Sequence, residues 1–460
     1  MNLVWFRKDL RIIDNPALTE ASKNGPFKAI FISTPEQWRK HDMAPIQIDF
    51  LERHLNLLQN QLAELGIELV HIESHHFDDQ INALHEYAKT HQINNIYANS
   101  ELEVNECLRD KKILELGLSL KLLESDVIVP KGDILNGSGE MYKVFTPFRN
   151  TWLKYLVSHS VSICQFTNDH NESLPKQNTI SFNTQKICSN KWPLVDVIFT
   201  SVINDFISDK LINYKHNRDI PAIKGTSGLS PYLAIGAISP KHLLLSVLAR
   251  HPHILENSAA DAFTWINELA WRDFYKHLLF HYPKLCKNQT FIPKYNELPW
   301  KNNPEHFKLW CEGKTGYPIV DAAMRQLKNT GWMHNRLRMI VASFLTKDLL
   351  IDWKWGERFF MENLIDGDFS ANNGGWQWAA STGCDAQPYF RVFNPITQSK
   401  KFDPTGQFIR MYIPELKDIP DKEIHFPHDY ISRNGLSDKY YEPIVNHKDA
   451  RIEALAFYKV

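Results

Sequence analysis

An excess of charge of either sign is the first thing this chain lacks. Lys and Arg total 52 against 53 Asp and Glu, a formal net charge of -1. Bulk electrostatics therefore supply no attraction to nucleic acid, and any such affinity has to come from a local basic face. Long apolar runs are also missing. None approaches the ~20 residues needed to cross a bilayer, so no membrane span is expected. The first strand-like segment begins at Leu3 with no basic and then apolar leader before it, which argues against a secretory signal and for the cytoplasm. Cysteine is sparse and dispersed: Cys107, Cys164, Cys188, Cys286, Cys311 and Cys384 include no Cys-x-x-Cys pair. That disfavours a zinc site and a disulfide framework and suits a reducing compartment.

Nucleotide and metal fingerprints are absent as well. The first strand runs into Arg7-Lys8-Asp9-Leu10-Arg11 rather than Gly-x-Gly-x-x-Gly, so the standard dinucleotide turn is missing. The small-residue loop Lys224–Pro231 empties into a helix start and suits a phosphate, or is simply an ordinary capped turn. It lacks the Gly-Lys-Ser/Thr ending of a phosphate-binding loop, which argues against nucleotide hydrolysis. Asp366 and Asp368 have the spacing of a calcium loop. Yet the sixth and twelfth positions from Asp366 hold Ala371 and Gln377, where Gly and a carboxylate are required. No metal site is expected.

What is present is the composition of a globular protein, 43% hydrophobic and 23% charged over 460 residues, enough for two or three domains. Residues 1–126 alternate strands (Leu3–Phe6, Phe27–Ser33, Ile67–Ile72, Asn95–Ala98, Leu120–Glu124) with helices. The clearest helix carries Leu51, Leu55, Leu58, Leu62 and Leu65 between Pro45 and Gly66. That rhythm predicts an α/β domain with a parallel sheet. Residues 127–197 form a turn-rich linker with an amphipathic helix near Trp152, and 165–195 are polar without periodicity. From 198 to 460 helical periodicity predominates, so one large all-α domain is expected, with helix starts at Ser230-Pro231 and Ser239-Pro240.

Tryptophan is the abundant oddity. Of 13, nine lie after residue 260: Trp265, Trp271, Trp300, Trp310, Trp332, Trp353, Trp355, Trp376 and Trp378. Asp366–Gly383 adds two carboxylates, Asn372 and Asn373, a Gly pair and two Trp around Gln377. A polar pocket wall running into an aromatic helix suits a large, planar, hydrogen-bonding ligand. Trp265, Glu268 and Arg272 share one helix face, where Glu268 is either paired with Arg272 at the surface or used. Asn335 and Met339, four apart, present an amide and a thioether to one neighbour. His334 is a candidate base or a structural donor.

Trp5–Arg11, Gly331–Met339 and Asp366–Gly383 together resemble the photolyase/cryptochrome family, almost end to end, and within it the bacterial class I branch that repairs cyclobutane pyrimidine dimers. The resemblance implies an α/β antenna domain, a long linker and a helical domain holding FAD. It assigns Tyr214, Thr226, Ser227, Leu229 and Ser230 to the diphosphate and ribityl side of FAD. Trp265, Glu268, Arg272, Asn335, Asp366, Asp368 and Asn372 line the remainder, with Asn372 near flavin N5. Trp376, Trp353 and Trp300 match the chain that carries electrons from the surface. Glu268, Trp271, Asn335, Met339 and Trp378 match the dimer pocket, into which photolyases flip the damaged bases. Asn105, Glu106, Cys286 and Lys287 match a 5,10-methenyltetrahydrofolate antenna site. Arg218, Arg272, Arg336, Arg338, Arg391, Lys400 and Lys401 are candidates for a basic rim against DNA.

The resemblance therefore implies a light-driven lyase acting on UV-damaged DNA, expected as a monomer with no obligate protein partner. It departs from the family at Gly228, where a basic residue often stands. A cryptochrome photoreceptor is the alternative within the family. Plant-type members carry Asp and animal ones Cys where this chain has Asn372, and the chain stops at Val460 without an added tail. Both features favour repair. A flavoprotein oxidoreductase is the alternative outside the family, and the first domain lacks its dinucleotide turn.

Overall fold

The computed structural model describes residues 1–166 and 172–459. These group into two compact units, each made of several chain segments. The first comprises Met1–Ile212, Ser227–Cys286 and Ile365–Asp368; the second comprises Asn213–Thr226, Lys287–Leu364 and Phe369–Val460.

In the first unit, β1 (Asn2–Phe6), β2 (Phe27–Ser33), β3 (Leu69–Glu73), β4 (Asn95–Asn99) and β5 (Leu120–Leu123) form one sheet. Its order is β3-β2-β1-β4-β5, and every pairing is parallel. Between the strands run α1 (Pro16–Lys23), α2 (Pro45–Glu64), α3 (Phe77–Thr90) and α4 (Val104–Glu115). Strand β3 starts two residues later than the Ile67–Ile72 expected from the apolar run, because Ile67 is spent on the turn that closes α2, its N–H reaching the Leu62 carbonyl. Leu3, Trp5, Ile30, Ile96 and Ala98 bury one sheet face against Ile81, Leu84 and Ile113 of α3 and α4. The chain reverses direction across the sheet between β1 and β4, where parallel folds open a crevice at their carboxyl edge.

The longer helices outside the sheet crossovers are α5 (Phe145–Ser158), α6 (Pro240–Leu248) and α7 (Phe263–His281). Asp273 of α7 is fully buried and accepts from the Trp152 indole at 2.8 Å and from the Ile128 and Val129 amides. One carboxylate thereby fixes the segment leaving β5 and the Trp152 helix to α7. The polar stretch 165–195 includes residues 167–171, which lie outside the described residues. Its remainder is pinned to α2 and the sheet: Ile180 to Asn56, Lys186 to Glu52 and Ser189 to Asp49, with Phe182 buried against Phe31 and Trp38. From residue 195 to 212 the chain runs in short helical segments with wide π turns between them.

The second unit is helical: α8 (Pro304–Glu312), α9 (Pro318–Thr330), α10 (Asn335–Ser343), α11 (Trp353–Met361), α12 (Phe369–Ala379) and α13 (His447–Phe457), with shorter helices between α12 and α13. Its core gathers Trp310, Tyr317, Leu337, Phe344, Trp353, Phe360 and Trp376. Gly356 lets α11 and α12 meet. A Cβ there would overlap the outer edge of the Trp376 ring and lie 2.7 Å from Leu345 Cδ2.

Candidate functional site

At the carboxyl edge of the sheet, beside the reversal, the charges are dense and buried. Arg7 from the end of β1 holds both oxygens of Asp110 at 2.8 Å, and Arg109 holds Glu101 at 2.8 Å. Burial alone would push the Glu101 carboxyl up; Arg7 and Arg109 outweigh that and hold it near pKa 2. On the next turn, His41 lies 3.0 Å from the Asn105 amide and 3.4 Å from Glu106 Oε1. Burial raises Glu106, while His41 and Lys8 more than offset it and leave the carboxyl below its usual range. Its other oxygen, Oε2, is buried with no partner in the protein. An ionised acceptor in that state calls for a ligand N–H. Cys286, also in this unit, has its thiol pushed up to about 12 by burial, so it is a packing group and not a thiolate.

The residues of α7 and the 365–368 segment make a second group in the same unit. Ser230 is not the helix cap that its Ser-Pro sequence predicts. It stands one position inside a short helix, and its hydroxyl donates to Asp366 Oδ2 at 2.7 Å. Ser239 does cap, accepting from Lys241 and His242 N–H. Asp368 accepts at 2.7 Å from Lys276, which lies 3.6 Å from Asp126. Burial works against the Lys276 charge, and Asp368 with Asp126 outweigh it, so the ammonium is held above its usual range. Arg272 donates to the Asp126 carbonyl. Trp265 is buried against Phe206. Asn267, one residue before Glu268, has a buried Oδ1 without a donor. Trp271 is stacked on Phe145 with centroids 3.6 Å apart and planes 7° from parallel, a rigid aromatic platform. Gly228 has φ +66° with open space around it, so the loop needs a left-handed residue where a basic side chain is common.

In the second unit, a ladder of amides locks α12 to α11. Asn372 Nδ2 donates to the Glu357 carbonyl at 2.9 Å and Asn373 Nδ2 to Glu357 Oε1 at 2.8 Å. Gln377 takes the Phe291 N–H at 2.8 Å and gives to Asn373 at 3.0 Å. With Nδ2 committed, Asn372 is left with its Oδ1 as an acceptor. Trp376 and Trp378, two apart, face differently: Trp376 is buried in the core and Trp378 is half-buried at its margin. Trp353 is 1% exposed, whereas Trp300 is half-buried and packed on Phe457 and Tyr458. His334 serves as the cap of α10, its Nδ1 accepting from the Arg336 N–H, and burial lowers its pKa to about 4. That is the structural role. Arg336 holds Asp219 with both bonds at 2.9 Å, lies over Phe402 and reaches Met339 Sδ at 3.6 Å, so much of its charge is met within the unit. Arg218 lies over Tyr214 and Arg338 reaches the Met333 carbonyl. In the loop holding Thr226, a Cβ on Gly225 would approach the Asn217 carbonyl oxygen to 2.6 Å.

His41, Lys276, Asn267 and Gly356 were not marked by any motif. His41, Lys276 and Gly356 act through partners distant in sequence, and Asn267 carries an oxygen that nothing in the protein satisfies, so the local pattern of the chain does not single them out.

In the first unit the donor set fits FAD: hydroxyls at Ser227 and Ser230 in a small-residue loop, carboxylates at 366 and 368 for hydroxyl and N–H groups, and an orphaned acceptor on α7 at Asn267. Residues 265–460 match the family described as the FAD binding domain of DNA photolyase, and residues 2–165 match DNA photolyase. The deoxyribodipyrimidine photo-lyase of Escherichia coli (strain K12) is 45% identical over 466 residues, covering 100% of this chain and 98% of the relative. That of Salmonella typhimurium is 46% identical with the same coverage. A cryptochrome structure from Synechocystis sp. PCC6803 superposes with a TM-score of 0.86 at 28% identity, covering 99% of both chains. On full-length identity and on both matched domains, the chain belongs to the DNA photolyase family.

Proposed function

We propose that this protein repairs cyclobutane pyrimidine dimers in DNA, using blue light absorbed by bound FAD. The observation that carries this reading is the full-length similarity to bacterial deoxyribodipyrimidine photo-lyases at 45% and 46% identity. The cryptochrome likeness is one of fold at lower identity, and the family resemblance puts Asn372 where plant-type cryptochromes carry Asp and animal ones Cys. When bound and reduced, FAD supplies on excitation the electron that opens the dimer and takes it back afterwards.

The protein's own part is positioning. Trp271, held flat by Phe145, offers a stacking face to flipped bases, and Trp378 offers a second aromatic surface. Glu268 hydrogen-bonds the pyrimidine edge and favours the transient negative charge through that bond. Met339 fills the gap beside Asn335. Asn372 presents its oxygen near the flavin ring, with its amide fixed by Glu357. Tyr214, Thr226, Ser227, Leu229, Ser230, Trp265, Arg272, Asp366 and Asp368 hold the remainder of FAD. Trp376, Trp353 and Trp300 run from buried to half-exposed and carry electrons inward when the flavin is oxidised. The orphaned Glu106 Oε2, with His41 and Asn105 beside it, supports a pteridine antenna at Asn105, Glu106, Cys286 and Lys287. The functional division is antenna 1–126, linker 127–197 and catalytic region 198–460, in a cytoplasmic monomer that binds UV-damaged DNA through Arg218, Arg336 and neighbouring cations. No helix among the described residues is long and apolar enough to cross a membrane.

The test is anaerobic. Photoreduced protein is mixed with a dimer-containing oligothymidine and illuminated in blue light while absorbance in the thymine band is followed. Light-dependent recovery that Glu268→Ala slows about tenfold or more, the loss of one charge-assisted bond, is expected. Flavin reduction with no recovery overturns the repair reading in favour of a photoreceptor.

A further inference from the structure

The stretch Asp366-Gly367-Asp368 is held at three consecutive residues by three different elements of the first unit. Ser230, on the short helix Ser230–Ala234, donates to Asp366 Oδ2 at 2.7 Å. Lys276 of α7 donates to Asp368 Oδ2 at 2.7 Å. Between them, Gln47 of α2 donates from Nε2 to the Gly367 carbonyl at 2.9 Å, across 320 positions of sequence. Gln47 is 3% exposed, lies in the first turn of α2 and has the buried Ile46 and Ile48 on either side. The same helix packs Phe50 edge-on against Tyr232, two residues after Ser230, with centroids 5.1 Å apart. The helices that supply Gln47 and Ser230 thus rest on one another.

Satisfying a carbonyl is by itself an ordinary task for a buried amide. Two features go further. The carbonyl that Gln47 meets is bracketed by the two carboxylates assigned to FAD, where an unmet acceptor is costly. A peptide unit is also planar and trans, so fixing the Gly367 oxygen turns the Asp368 N–H of the same unit to the opposite side. Glycine at 367 leaves that plane free to rotate, so its orientation has to be imposed from outside.

We propose that Gln47 is a positioning residue for the FAD site: by gripping the Gly367 peptide it turns the positive, N–H end of that peptide dipole toward the cofactor, so that a helix of the α/β domain tunes the flavin. The proposal rests on the assignment of Asp366 and Asp368 to FAD made above. A positive dipole end favours the extra negative charge of reduced flavin, so the grip raises the reduction potential as well as the affinity.

The experiment uses the full chain, stripped of flavin and titrated with FAD. It reads the FAD Kd and the midpoint potential, with far-ultraviolet circular dichroism to verify the fold. Gln47→Leu, close to Gln in size and without a donor, is expected to raise Kd about tenfold, the cost of one buried acceptor left unmet, and to lower the potential. Gln47→Glu keeps the shape, and its carboxyl donates only while protonated. Measured beside wild type at each pH, its Kd is expected to approach the wild-type value at about pH 5 and to rise at about pH 8, since burial near two carboxylates lifts its pKa. Wild-type protein that binds no FAD overturns the flavin assignment itself. Wild-type binding with both quantities unchanged in Gln47→Leu overturns the role of Gln47 and leaves that assignment standing. If Gln47→Leu does not fold, the Gln47→Glu profile decides: recovery in acid supports the grip, and a flat profile overturns it.

Discussion

Lys276 shows what a single residue does here that no motif announces. It is buried beside Asp368 and Asp126, and removing it takes from Asp368 its 2.7 Å partner while Asp126 keeps Lys131 at 2.9 Å. Breaking a buried pair from one side typically costs about 3–5 kcal/mol. Lys276→Met is therefore expected to lower the urea midpoint strongly and to weaken FAD retention, and Lys276→Arg to restore most of both. An equal loss in Met and Arg variants would mean that shape, not charge, is what matters. At this scale the sequence was legible where the residue type itself carries chemistry, as with the carboxylates at 366 and 368. It was opaque where a long-range partner decides, as with Lys276, or His41 beside Asn105. Glu268 and Arg272 illustrate the ambiguity: spacing alone allowed a simple pair, whereas the Arg272 guanidinium reaches the Asp126 carbonyl.

Among elements, the contact of α11 with α12 is the most demanding. Gly356 has no room for a methyl group, because the Trp376 ring and Leu345 occupy its side-chain direction. Gly356→Ala is expected to cost about 1–3 kcal/mol through overpacking, read as a lowered Tm with altered tryptophan fluorescence; an unchanged Tm would show that the helices slide apart freely. Periodicity foretold the elements well: α2 begins at Pro45 as expected, and β2 spans Phe27–Ser33. It erred where local chemistry competes with tertiary partners. Ser230 looked like a cap because Ser before Pro usually is one, but Asp366 recruits its hydroxyl. Ile67 looked like strand and was taken by the helix-closing turn.

For the molecule as a whole, His54 and His334 are accompanied by the buried His277 and His425, which shift the same way, while Asp348, raised by burial to about 6, works in the opposite direction. Burial lowers His54 and His334 from 6.5 to about 4. Between those values the unfolded chain holds protons that the folded chain refuses, so stability rises with pH there. The contribution is complete above pH 6.5 and lost as pH falls toward 4, roughly 3 kcal/mol for each at one pKa unit per 1.36 kcal/mol. Melting temperatures from pH 4.5 to 7.5 are expected to climb, with His54→Phe flattening part of the slope; a slope unaffected by that change would place the titration elsewhere. Net charge hid the rest of the electrostatics, since the near balance of 52 and 53 says nothing of pairs such as Arg336 with Asp219.

The Trp376 indole nitrogen is buried without an acceptor. In the proposed tryptophan chain, that ring has no acceptor among the described residues to take its hydrogen when an electron leaves, so the step is pure charge transfer at the centre and acid–base chemistry is confined to the periphery. Exchange into heavy water is accordingly expected to leave the first hop unaltered and to slow only the last, at the rim.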